Sequence, residues 1–147
     1  MISSRKIEDL HPKMQVKARA FVDKCHAAGV DVLVTCTYRD AEEQNRLYAR
    51  GRTVTIEDGH KVGKVTNAKA GQSMHNYRLA FDCVPLRAGK PVWGTTGADA
   101  ALWERVGAIG ESVGLEWAGR WKTFREYPHF QLTEGHPLSY FQGGGHL

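Results

Sequence analysis

No apolar run in the sequence approaches the roughly 20 residues that a membrane-spanning helix requires, so stable insertion into a membrane is excluded from the expectations. The first fifteen residues, MISSRKIEDLHPKMQ, contain no apolar stretch of the kind that marks an export signal. Cysteine is scarce. Cys25, Cys36 and Cys83 cannot all pair within the chain, and no CxxC spacing suggests a redox or zinc-knuckle motif. They read as buried thiols of a protein made in a reducing compartment. Lys and Arg are scattered rather than gathered into a block, which argues against a nucleic-acid partner. Internal repeats are also missing.

What remains is a chain of 147 residues, 41% hydrophobic and 24% charged, the size and composition of one globular domain over 1–147. Twenty basic residues against sixteen acidic ones give a net charge of +4, which favours anionic partners without naming one. Met14, Ala18, Phe21, Cys25 and Ala28 step by four and three, drawing one stripe along a helix with Pro12 in its first turn and Gly29 at its end. Residues 30–37 alternate and are β-branched, as in a strand. Asp40 with Glu43 three residues on opens a second helix toward Gly51, and this junction leaves Tyr38 and Arg39 at an element edge. Residues 52–72 read as a long loop with a weak hairpin at Asp58-Gly59. A strand is expected over 79–86, a helix between Gly97 and Gly114, and a short strand over 128–132. The core then spans about 12–132, with a short, loose tail over 133–147. Helices and strands mix without a βαβ rhythm, which points to an α+β fold with a mainly antiparallel sheet flanked by helices.

The chemistry concentrates in two segments, SMHNYRLAFD at 73–82 and EYPHF at 126–130. Catalytic zinc takes three His or carboxylate ligands and keeps one position for water, whose pKa falls to about 7. His75, Asp82 and His129 can supply those ligands, leaving Glu126 free to take the proton from the water and pass it to a leaving amine. His75 and Asp82 are seven apart, an odd separation that on one strand would point them to opposite faces, so the backbone must turn between them, near residues 76–78. Pro128 can begin a strand but not sit within one, which puts Glu126 on the preceding loop.

These segments, SxHxxxxAxD followed by ExxH, resemble the zinc D-Ala-D-Ala carboxypeptidase/dipeptidase family, which includes vancomycin-resistance D,D-peptidases and the L-alanyl-D-glutamate endopeptidases of phage lysins. The likeness to the phage branch rests on SMHNYRLAFD, on GLEWAGRWKTFREYPHFQL, and on Thr37-Tyr38-Arg39 with Gln44, Leu47-Tyr48 and Gly51-Arg52-Thr53 upstream. The resemblance implies a hedgehog/D,D-peptidase-like fold, zinc on His75, Asp82 and His129, and Glu126 as catalytic base. It further implies that Arg39 stabilises an oxyanion and contacts substrate, and that Ser73 contacts substrate. An arginine suits that role because a fixed positive charge beside a developing oxyanion is a strong electrostatic catalyst. Departures from the family pattern are Arg78 and Ala118 where glycines are usual and Glu126 where the phage branch often has Asp. With Arg78 there, the expectation is a turn made without a positive φ.

Trp117 and Trp121 are expected to line the substrate groove, and Ser73 can equally be a turn residue bonding its own backbone. His11, His26, His60, His136 and His146 follow no ligand spacing and read as surface histidines. The implied function is a monomeric zinc endopeptidase of peptidoglycan, cutting between L-Ala and D-Glu as a phage endolysin. It would accumulate in the host cytoplasm and reach the wall from the periplasm once another protein opens the membrane. Alternatives are a D,D-carboxypeptidase or dipeptidase of the same family, and a non-catalytic hedgehog-like zinc module.

Overall fold

The apolar stripe near the N-terminus folds as expected. In the computed structural model, which describes residues 1–147, Pro12–Ala27 form helix α1, with the His11 side chain accepting a hydrogen bond from the Lys13 amide. Met14, Ala18, Phe21 and Cys25 are buried along its inner face, whereas Ala28 lies beyond the last turn and is exposed. Strand β1 (Val32–Cys36) follows, then helix α2 (Ala41–Ala49), whose first turn is closed by the Asp40 carboxylate accepting from the Glu43 amide at 2.9 Å.

Within the long connection, strands β2 (Ile56–Glu57) and β3 (His60–Lys61) pair as a hairpin. Asp58 and Gly59 both take positive φ, as a two-residue hairpin turn of matching twist demands. The rest of this connection is tied to α2 rather than free. Arg52 lays its guanidinium 3.7 Å from the Tyr48 ring centroid and donates to the Thr66 carbonyl, while Gln44 donates to the Ala68 carbonyl.

Strand β4 (Ala80–Arg87) is central. It pairs antiparallel with β1 on one side, with β7 (His129–Gln131) on the other, and at its far end with β5 (Lys90–Pro91). Strand β6 (Glu116–Trp117) closes the edge, giving the order β1-β4-β7-β6. Helix α3 (Ala98–Ser112) crosses between β5 and β6. The α+β class and the antiparallel sheet expected from the sequence are both observed.

Register separates the two faces of this sheet. Phe81 pairs with Phe130, and Phe130 with Trp117, so three rings lie in one row; the first two stack at 5.4 Å and the second two at 6.4 Å. Phe21 of α1 packs on Phe81 and Phe130 at 5.4 and 4.8 Å. Each such ring removed from water is worth about 1.5–3 kcal/mol. Gly107 and Gly110 of α3 lie directly over Trp117 and Phe130, where a Cβ would collide with either ring. Helices therefore cover one face. The intervening residues Cys36, Asp82 and His129 pair across β1, β4 and β7 in a row on the opposite face, which α1 and α3 leave open.

Two expectations change. Residues Leu138–Gln142 form a short helix, α4, whose Phe141 is buried beside Tyr77, so the tail is not loose throughout. Trp117 is core rather than groove wall, because the period of two that points His129 outward points Phe130 and its partner Trp117 inward.

Candidate active site

His75 and Asp82 reach the same place because the chain turns sharply between them. Met74–Tyr77 form one 3-10 turn whose start is capped by Ser73 Oγ accepting from the His75 amide at 3.3 Å. The turn ends at Arg78 in the left-handed region, φ 63° and ψ 25°. Contrary to the sequence expectation, the positive φ is kept although glycine is absent. A non-glycine residue there costs about 1–2 kcal/mol. Offsetting contacts are visible: the Arg78 guanidinium lies 3.8 Å from the Tyr38 ring centroid and donates to the Asp9 carbonyl at 2.7 Å, and the Arg78 carbonyl accepts from the His11 amide.

The donor atoms converge. Asp82 Oδ1 lies 3.2 Å from His75 Nε2 and 3.2 Å from His129 Nδ1. Two donors held at about 2.0–2.1 Å from one tetrahedral ion stand about 3.3 Å apart, so each separation from Asp82 matches that of two donors on one zinc. His75 is fixed for this purpose: its Nδ1–H donates to the Thr37 carbonyl at 2.7 Å, so Nε2, which faces Asp82, is the nitrogen left to ligate a metal. The two imidazoles meet edge to face at 5.1 Å.

Charges in this cluster depend on one another. Burial alone would push His75 down, but the Asp82 carboxylate, with Cys36 behind it, carries it up to about 10. Burial would raise Asp82, and the two histidines instead hold its carboxyl below the usual carboxylate range. A divalent cation between them replaces that proton as the balancing charge.

Glu126 lies on the loop before β7, as Pro128 required, with a half-exposed carboxylate 3.7 Å from His129 Nδ1. Arg39, just before α2, lines the same cavity as Glu126. Its Nη1 donates to Gln44 Oε1 at 3.0 Å, its Nη2 to Cys36 Sγ at 3.4 Å, and its buried Nε has no hydrogen-bond partner in the protein. All these groups open into a cavity of about 710 Å³ whose lining includes Arg39, Ser73, Glu126 and Trp121. The Trp121 ring stands 5.7 Å from His129. Trp93, more than half exposed, and His136, stacked on Tyr140 at 3.9 Å, also reach this cavity. Neither was singled out by spacing.

Cys36 is the other group that sequence reasoning passed over. Its thiol lies 3.8 Å from His75 Nδ1, and Cys36, His75 and Asp82 together form a geometric cluster able to hold a metal. Two features argue against sulfur as the ligand: it meets His75 at the nitrogen already bound to Thr37, and the Arg39 cation points at it. Gln44, fully buried, ties Arg39 to the 52–72 connection. The pairing of Cys36 with Asp82 across β1 and β4 is the signal that could have found the thiol, but it needs a register that the sequence does not state.

Comparison with known proteins places the chain among peptidases. Residues 66–132 match the family described as D-alanyl-D-alanine carboxypeptidase. The chain is 35% identical over 130 residues to the peptidoglycan L-alanyl-D-glutamate endopeptidase CwlK of Bacillus subtilis, covering 84% of this chain and 74% of that protein. It is 26% identical over 127 residues to the L-alanyl-D-glutamate peptidase of Listeria phage A118, covering 86% of this chain but only 39% of the phage protein. Among solved structures, the L-Ala D-Glu endopeptidase ChiX of Serratia marcescens superposes with a TM-score of 0.61 at 21% identity, over 90% of this chain and 89% of that one. The vancomycin-resistance D,D-pentapeptidase VanY, solved with Zn(II), gives a TM-score of 0.61 at 14% identity, over 91% and 78%. At such identities the structural matches establish the fold alone.

Proposed function

The chain belongs to the D-alanyl-D-alanine carboxypeptidase family of peptidases, and from that premise we propose that it is a zinc-dependent peptidoglycan endopeptidase cutting the stem peptide between L-Ala and D-Glu, as a phage endolysin does. The observation that carries the reading is the convergence of His75 Nε2, Asp82 Oδ1 and His129 Nδ1 beside a free Glu126 carboxylate. The names of the Bacillus and phage relatives support the choice of bond.

His75, Asp82 and His129 would hold the metal. Bound zinc polarises a carbonyl and lowers the pKa of water to about 7. Glu126 takes the proton of the attacking water and delivers it to the amine of D-Glu as the peptide bond breaks, so L-Ala leaves with a free carboxylate. Arg39 presents its guanidinium, held by Gln44, to the oxyanion that forms on the scissile carbonyl. Ser73 and Trp121 line the same cavity as the ligands and position the stem peptide. No helix is long and apolar enough to cross a membrane. The protein acts as a monomer, accumulating in the host cytoplasm and reaching the wall from the periplasm after a separate protein opens the membrane.

The test is mass spectrometry of purified peptidoglycan after digestion by the zinc-loaded protein. New L-Ala carboxyl and D-Glu amino termini are expected, and Glu126→Ala should keep its zinc while losing about 10²–10⁴-fold in rate. Released D-Ala would replace the endopeptidase with a D,D-carboxypeptidase. Full lytic activity in Glu126→Ala would remove the proposed base.

A further inference from the structure

Beyond the ligands runs a chain of hydrogen bonds whose polarity is forced from one end. Glu116 of β6 and Gln131 of β7 face each other as cross-strand partners, and Gln131 lies two residues from His129, on the same face of the strand. Glu116 Oε2 lies 2.8 Å from Gln131 Nε2 and 3.2 Å from Trp121 Nε1. Gln131 Oε1 in turn lies 2.8 Å from His129 Nε2.

An ionised carboxylate only accepts hydrogen bonds. Opposite Glu116, therefore, Gln131 must present its NH2 group, and the same amide must then turn its oxygen toward His129. An amide oxygen accepts, so His129 Nε2 must carry the hydrogen, and Nδ1, which faces Asp82, is the nitrogen left to ligate a metal. We infer that Glu116, acting through Gln131, selects the tautomer of His129 that offers Nδ1 to the metal. Both line the same cavity and are positioning residues, acting on the metal through His129. The arrangement differs from that at His75, where a backbone carbonyl does the same work and no substitution can reverse it. At His129 the direction is set by side chains and can be rewritten.

The inference rests on the zinc reading above, and reversing the polarity tests it separately. Gln131→Leu removes the acceptor, and zinc affinity, measured by competition with a chromophoric chelator, should fall about 10–100-fold. Gln131→Glu alone sets two carboxylates against each other and should also weaken binding. Combining it with Glu116→Gln restores the sequence of donors. The new carboxylate at position 131 accepts from His129 and from the new amide at position 116, at the cost of the Trp121 bond, since both bonds to Glu116 end on Oε2. The double variant should bind zinc within a few-fold of the unsubstituted protein. Long-range ¹H–¹⁵N spectra of the zinc-loaded protein and of the double variant should show His129 protonated at Nε2 and ligated through Nδ1. The inference is overturned if Gln131→Leu binds zinc as tightly as the unsubstituted chain, if the double variant is no better than Gln131→Glu alone, or if His129 is ligated through Nε2. An unsubstituted protein that binds no zinc overturns the metal reading itself, and this inference with it.

Discussion

Replacing Arg78 tests how the chain turns between two of its ligands. The residue holds φ 63°, a conformation that costs about 1–2 kcal/mol for any side chain and nothing for glycine. Two contacts oppose that cost: the guanidinium on the Tyr38 ring, worth about 0.5–1 kcal/mol at an exposed site, and the bond to the Asp9 carbonyl, about 0.5–1.5 kcal/mol. Arg78→Ala keeps the strain and loses both contacts, so the fold should weaken by about 1–2.5 kcal/mol. Arg78→Gly loses the same contacts but removes the strain, and should recover about 1 kcal/mol of that loss. At about 2–4 °C per kcal/mol for a domain near this size, thermal unfolding of the chelator-stripped protein resolves the order: unsubstituted, then glycine, then alanine, with zinc affinity falling least for glycine. An alanine variant as stable as the glycine variant would refute the claim that Arg78 carries backbone strain. An alanine variant as stable as the unsubstituted protein would refute the anchoring role of its side chain.

Gly110→Ala should lower the melting temperature, because overpacking against Phe130 costs about 1–3 kcal/mol and exceeds the gain in helix propensity of about 1 kcal/mol; a raised melting temperature would show that Phe130 yields freely. His75 titrates near 10 without metal, so its contribution to the stability of the metal-free fold is complete below its ordinary 6.5 and disappears as pH rises through about 10. Zinc takes the place of that proton, so calorimetry near neutral pH in buffers of different ionisation enthalpy should record about one proton released per ion. Zinc uptake without proton release would contradict the assignment of His75.

That His75, Asp82, His129 and Glu126 come together was legible because each has a chemistry that few residues share and a fixed distance along the chain from a partner. Pro128 also placed Glu126 on a loop without any structure, since proline cannot sit inside a strand. Other features depend on contacts remote in sequence. Arg78 could adopt its conformation only with Tyr38 and Asp9 to hold it. Trp117 was misassigned to the groove because its neighbours suggested the site, while its register with Phe130 sends it into the core. The helix at 138–142 spans only five residues, too few to show a helical period, and its place depends on Phe141 finding Tyr77. Cys36 joined the site through strand pairing alone.

The most direct measurement is a crystal structure of the zinc-loaded protein with anomalous data collected at the zinc edge. One peak is predicted, about 2.0–2.2 Å from His75 Nε2, His129 Nδ1 and an Asp82 oxygen, with Glu126 outside bonding distance. A peak bonded to Cys36 Sγ at about 2.3 Å, or no peak among these residues, would contradict the account.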